Sequence, residues 1–190
     1  MKDNEKEIKN KYFDEIQQIE EWTETTYDSL LFDSNCCDWK LNSSTFDKHV
    51  INKEKITLMI EDTNGNIFGV FIDEELNEIE ENIVDKKSFV YSLKSNGRFD
   101  KPMKFEIEKY NEVCHLYDEN IEWLISIGSD GGNAGVDDIT IMKRDCQELR
   151  NEYCPGNGCV QNSYNYGDNK NALCGSEHFD VKRFFVFQMK

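Results

Sequence analysis

The sequence predicts a mainly β (α+β) chain: a two-sheet antiparallel β-sandwich with a few short helices and an extra amphipathic helix at its N-terminus. Two apolar, β-branched runs meet at Asn64-Gly65 within ITLMIEDTNGNIFGVFI, residues 56–72. That is a strong hairpin signal, because both turn residues tolerate positive φ. Short alternating runs then recur to residue 189, separated by turn residues rather than by long helices, which argues against alternating βα units. Ahead of them Ile8, Tyr12, Ile16, Ile19 and Trp22 recur at spacings of three and four, the period of an amphipathic helix.

The elements follow in order. A helix spans 4–25, and its two heptads suit packing on the domain better than a coiled coil, with self-association through residues 4–25 as the alternative. The resulting division is a helix over 1–26 and a sandwich domain over 27–190. A short strand, Ser29 to Phe32, precedes a polar stretch. Ser44 and Asp47 stand at capping-box spacing and open a short helix from Thr45 to Ile51. Both faces of the hairpin are largely apolar, so it belongs in the middle of a packed sheet. Gly69, inside its second strand, calls for a close neighbour where a side chain would be. Asp73 to Asp85 carries seven acidic residues and no basic one, and reads as a solvated loop or edge. Further strands are expected at Ser88 to Leu93, Met103 to Ile107, Val113 to Tyr117, Ile121 to Ile127, Asp138 to Met142 and Val181 to Met189.

With 190 residues the chain can bury a core without staples, and its formal charge is -16. Such a charge repels a phosphate backbone, and no basic stripe interleaved with aromatics offsets it, so nucleic acid is excluded as a partner. No apolar run reaches the ~20 residues of a spanning helix, so membrane insertion is not expected. The N-terminus lacks an apolar signal core, and Lys2 excludes N-myristoylation. A cytoplasmic protein with mostly free thiols is the expectation, despite seven cysteines.

No complete catalytic set is present in the sequence. Gly128-Ser129-Asp130-Gly131 lacks nucleophile-elbow spacing, and the glycines from Gly128 to Gly135 lack the lysine of a phosphate-binding loop. Read as a calcium loop, the same stretch would place Gly132, Ala134 and Ile141 at ligand positions. Cys154 and Cys159 flank a turn-forming interior, and Cys146, Cys174 or His178 could complete a zinc set, but no second Cys-x-x-Cys accompanies them. Neither metal nor cofactor is expected. The thiols Cys36, Cys37, Cys154 and Cys159 are the redox candidates, although Asp33 and Asp38 would raise the pKa of the first two. His49, His115 and His178 are dispersed, and Glu177 with His178 is the best polar constellation, in a loop-fixing role.

Taken in order, these segments resemble the TLDc domain family. Leu30 to Ser34 followed by Asp38-Trp39 looks like the family's opening strand and its Asp-Gly-Trp motif. Ile67 to Phe71 resembles its Phe-Gly-Gly-Tyr strand, and Phe89 to Leu93 its Phe-Leu-Phe-Ser-Leu strand. Gly135 to Ile141 is similar to its Gly-His-Asp-Ile strand, and Leu173-Cys174-Gly175 through Val186 to its closing segment. The likeness spans about residues 22 to 190, with Val70 in place of the second glycine, no glycine between Asp38 and Trp39, and Asp137 at the usual histidine. It implies a two-sheet sandwich and a non-enzymatic protein-interaction module linked to oxidative stress, with the vacuolar proton ATPase as the protein partner that some members bind. It marks Asp38, Trp39, Gly69, Asp138, Gly175 and Glu177 as binding candidates, Trp39 either anchoring its loop or facing a partner. The rival reading is a thiol-based redox sensor or enzyme.

Overall fold

A computed structural model describes residues 2–108, 112–128, 137–149, 164–169 and 171–190. Helices α1 (Lys2–Lys11) and α2 (Phe13–Thr23) lead into β1 (Tyr27–Asp33) and a short α3 (Phe46–Val50). The hairpin β2 (Ile56–Asp62) and β3 (Ile67–Ile72) follows, then β4 (Asn82–Val84), β5 (Phe89–Lys94), β6 (Met103–Glu106) and β7 (Glu112–Leu116). The last elements are β8 (Trp123–Ile127), β9 (Ile139–Met142), a 3₁₀ helix (Arg144–Leu149) and β10 (Val181–Met189). They form a six-stranded sheet, β1-β10-β2-β3-β5-β6, and a four-stranded sheet, β4-β7-β8-β9, with every strand pair antiparallel. The predicted sandwich is the observed one.

The hairpin lies in the centre of the larger sheet, flanked by β10 and β5. Its alternate residues serve two cores, which explains why neither face is polar. Leu58, Ile60, Phe68 and Val70 join Phe184 and Val186 in the core between the sheets, where Leu116, Ile127, Ile139 and Ile141 of the smaller sheet also pack. Met59, Ile67 and Phe71 join Phe89, Tyr91, Phe185 and Phe187 in a second core, roofed by Ile8, Tyr12, Ile16 and Ile19. The helices are thus a third layer on the outer face of the six-stranded sheet. The apolar stripe read from the sequence is buried there against the chain's own strands.

Several local expectations change. The predicted single helix over 4–25 is divided at Tyr12, although the hydrogen bonds Tyr12 N to Ile8 O and Ile16 N to Tyr12 O, both 2.9 Å, run through the break. At that residue the ring packs edge-on against Phe185, 5.0 Å between centroids, and the hydroxyl donates to Glu61. The break falls where the helix is pinned to the sheet. In the hairpin turn only Gly65 takes positive φ, +84°. Gly65 N bonds Asp62 O and Asp62 N bonds Asn66 O, each at 3.1 Å, so the connection is a three-residue loop with a bulge rather than a two-residue turn. The helix at α3 has no capping bond from Thr45; instead Ser44 Oγ accepts from Phe46 N at 3.2 Å. Residues 118–122 turn rather than extend β8, because the buried Lys143 ammonium gathers the carbonyls of Asp118, Ile121 and Trp123. A short strand, β4, also emerges from within the acidic run.

Candidate functional site

Antiparallel pairing puts the C-terminal ends of β1, β2 and β5 and the N-terminal ends of β3, β6 and β10 at one end of the six-stranded sheet. The loops 34–45, 63–66, 95–102 and 171–180 all leave the sheet there. This loop end holds several of the residues marked by the sequence.

Its framework is a set of buried charges. Asp33, 1% exposed, accepts from Arg183 Nε at 2.9 Å and Arg183 Nη2 at 2.7 Å, a bidentate pair. Asn4 Nδ2 of α1 and the backbone N of Asn35 add bonds of 2.7 and 3.0 Å. Burial pushes the Asp33 carboxyl up, but Arg183, Asn4 and Asn35 together outweigh it and hold the group at about 2. On β2, across β10 from Asp33, Glu61 accepts from Lys182 at 2.7 Å, Lys11 at 3.1 Å and the Tyr12 hydroxyl. It too is held at about 2, against the opposing effect of burial. Both clusters tie the helical layer to the sheet.

A third network fixes the loop before β10. Asp62 accepts from the Asn66 backbone at 2.8 Å and its side-chain amide at 2.6 Å, and that amide also reaches Cys174 O at 3.0 Å. Arg98 donates to Asn66 Oδ1 and to Leu173 O, both at 3.0 Å. Gly175 lies against this guanidinium at φ +84°, where a Cβ would crowd Arg98. Glycine is needed there for both reasons.

The sequence candidates separate into different roles. Trp39 is buried, stacked edge-on at 5.1 Å from Phe184, with its indole N–H donating to Ser34 O at 3.0 Å; it anchors its loop. Asp38, next to it, is exposed, and a bond of 3.1 Å from the Lys40 backbone N–H lowers its pKa. Glu177 and His178 are exposed at the same end. Gly69 sits mid-sheet: a Cβ there would overlap the Leu58 carbonyl and fall 2.8 Å from the Tyr91 hydroxyl. Tyr91 lies across it and donates to Leu58 O at 3.0 Å. Asp138 is fully buried in the smaller sheet, accepting from Tyr166 at 2.8 Å beneath Gly128. Asp38, Trp39, Gly175 and Glu177 therefore share the loop end, whereas Gly69 and Asp138 are internal positions.

Cys36 backs onto Asp33, donating to it at 3.4 Å, and burial followed by that carboxylate pushes its thiol up to about 12. Cys37 is half-buried. Cys154 and Cys159 lie outside the described residues, as does most of the Gly128 to Gly135 loop. Among the described residues no three His, Cys, Asp or Glu side chains are grouped to hold a metal. No helix among them is long and apolar enough to cross a membrane. Of the residues that build the loop end most directly, Arg183, Asn66 and Arg98 were not singled out by the sequence, and Asp33 was named only for its effect on the neighbouring thiols. The one available signal was Asp33 closing an apolar strand.

Two stacked antiparallel sheets, a helical layer on the outer face of the larger, and a loop end braced by internal ion pairs define a β-sandwich module with no assembled catalytic cluster among its described residues. The chain belongs to the TLDc domain family, whose model matches residues 2–190. The match begins well before the motifs quoted above and takes in α1 and α2. No curated protein matches the chain.

Proposed function

We propose that the chain is a non-enzymatic interaction module of the TLDc type that binds a protein partner through the loop end, in a setting of oxidative-stress response or of vacuolar proton ATPase regulation. The observation that carries this reading is the loop end itself. Its buried carboxylates are neutralised, Asp33 by the largely buried Arg183 and Glu61 by the half-exposed Lys11 and Lys182, and its exposed groups, Asp38 and Glu177, stand on loops fixed by backbone and arginine bonds. Such a surface offers fixed shape and charge to a partner. Thiol chemistry has less support, because the raised Cys36 pKa leaves little thiolate at neutral pH.

The test is co-sedimentation of the purified full chain with assembled vacuolar proton ATPase. Binding is expected, and the double substitution Asp38→Lys with Glu177→Lys should weaken it about tenfold or more with the melting midpoint unchanged. Failure of the unaltered chain to bind would remove this partner. Binding that ignores the double substitution would remove the loop end as the surface.

A further inference from the structure

At the opposite end of the same sheet the chain carries a cleft of about 550 Å³, within the size range of ligand and anchor-residue pockets. It lies where α2 ends over the start of β5 and the end of β3. Its floor is aromatic: Phe71 and Phe89 are buried, their ring centroids 5.4 Å apart, and the half-buried Trp22 stands edge-on to Phe89 at 6.0 Å.

The charges around that floor are unlike those of the rest of the molecule. In a chain of formal charge -16, the lining has four lysines against three carboxylates. Two of the lysines are engaged: Lys87 pairs with Asp73 at 2.7 Å, and Lys104 pairs with Glu106 at 3.1 Å. Lys55 and Lys86 have no side-chain partner among the described residues, and neither does the Trp22 indole N–H. Glu24, at the C-terminus of α2, is the remaining carboxylate of the lining. With Lys87 and Lys104 paired, Lys55 and Lys86 against Glu24 leave this lining with a local excess of positive charge on an otherwise acidic chain.

The geometry points to this cleft as the docking site for a short acidic peptide segment of a protein partner, with an aromatic or aliphatic side chain seated against the half-buried Trp22, beside the Phe89 ring that Lys104 covers at 5.1 Å, and flanking carboxylates paired with Lys55 and Lys86. Buried aromatic contact supplies the anchor and the rim lysines supply register and sign selection. Two lysines act as point charges, without the rigid fork by which arginine selects phosphate, which suits separated carboxylates along a peptide. This goes beyond the loop-end reading and uses a different surface.

The experiment is a titration of the full-length, ¹⁵N-labelled chain with a capped hexapeptide, Leu-Phe flanked on each side by two glutamates, following the Trp22 indole N–H resonance. That resonance should shift saturably, with affinity falling as salt rises. The lysine-flanked counterpart should bind at least about tenfold more weakly despite the chain's net negative charge, as should the glutamate peptide with a Ser-Ser centre. Lys86→Glu, at an exposed position, and Lys55→Glu with Lys86→Glu should each weaken binding, with circular dichroism unchanged for the single variant. The proposal is overturned by an unmoved Trp22 resonance, by equal binding of the lysine or Ser-Ser peptide, or by full affinity in Lys86→Glu. None of these outcomes bears on capture at the loop end.

Discussion

The two faces of the six-stranded sheet are covered by different chemistry. On the inner face Leu58, Ile60, Phe68, Val70, Phe184 and Val186 meet the second sheet through apolar contact, with Phe184 packed against Phe32 and Trp39. On the outer face Met59, Phe71, Tyr91, Phe185 and Phe187 meet an amphipathic helical layer. That layer is also tied down through Asn4 to Asp33, through Tyr12 and Lys11 to Glu61, and through Lys94 to Glu15. A sheet offers a continuous partner surface to a second sheet, but a pair of short helices presents only a stripe. Ion pairs and hydrogen bonds at the stripe's margins then set where the helices lie. The ionised pairs of the outer face, centred on Asp33 and Glu61, make that face the one expected to respond first to acid.

Removing the inner anchor should have the largest effect. Phe184→Ala deletes a fully buried ring in contact with Phe32, Phe46 and Trp39, and should cost about 3–5 kcal/mol in chemical denaturation. A loss under ~1 kcal/mol would mean that the inner face is not the principal core. Next comes Gly69→Val on the outer side, where the new side chain meets the Leu58 carbonyl and the Tyr91 hydroxyl. Overpacking of this kind should cost about 3 kcal/mol and lower the melting midpoint; an unchanged midpoint would show that Tyr91 does not close over the strand.

The third test uses acid to separate the faces. Asp33 and Glu61 are held at about 2, below their ordinary values of 3.8 and 4.5. Groups with depressed folded-state pKa contribute stability that is present above about pH 5 and lost as pH falls towards 2, here about 2–3 kcal/mol each. Between pH 4 and 2 the fluorescence of Trp22, on the helical layer, should change before that of Trp39 in the inner core, when each is read in a variant lacking the other tryptophans. Simultaneous change would show that the two faces unfold as one unit.

Much of the fold is legible in the sequence because its signals are local. The final strand, Val181–Met189, coincides with its predicted limits, and the central hairpin follows from alternation and one Asn-Gly step. What escapes are features decided by partners far away in the chain. Asp33 could be read in the sequence only as a neighbour of Cys36 and Cys37, Arg183 is 150 residues away, and only folding brings the two within 2.7 Å. Arg98 gives no hint that it will hold Leu173 and border Gly175. β4 is three residues long with one buried side chain, too short for alternation to mark within an acidic run. In the loop end the sequence left Trp39 either as a loop anchor or as a partner-facing residue, and only its burial against Phe184 decides between them. The opposite cleft was not, because its walls come from five separate segments.

The position of β10 also bears on how the chain comes to be folded. This strand, the last of the described strands in chain order, lies between β1 and β2, and the backbone of Lys190 pairs with that of Thr26 in both directions, at 2.7 and 2.9 Å. During synthesis β1 and one edge of the hairpin must therefore wait, unpaired, until residues 181–189 leave the ribosome. High contact order of this kind slows folding, and waiting edges invite association with other chains. The helical layer, made first, contacts β10 as well as the hairpin, so it too can dock fully only when the last strand arrives.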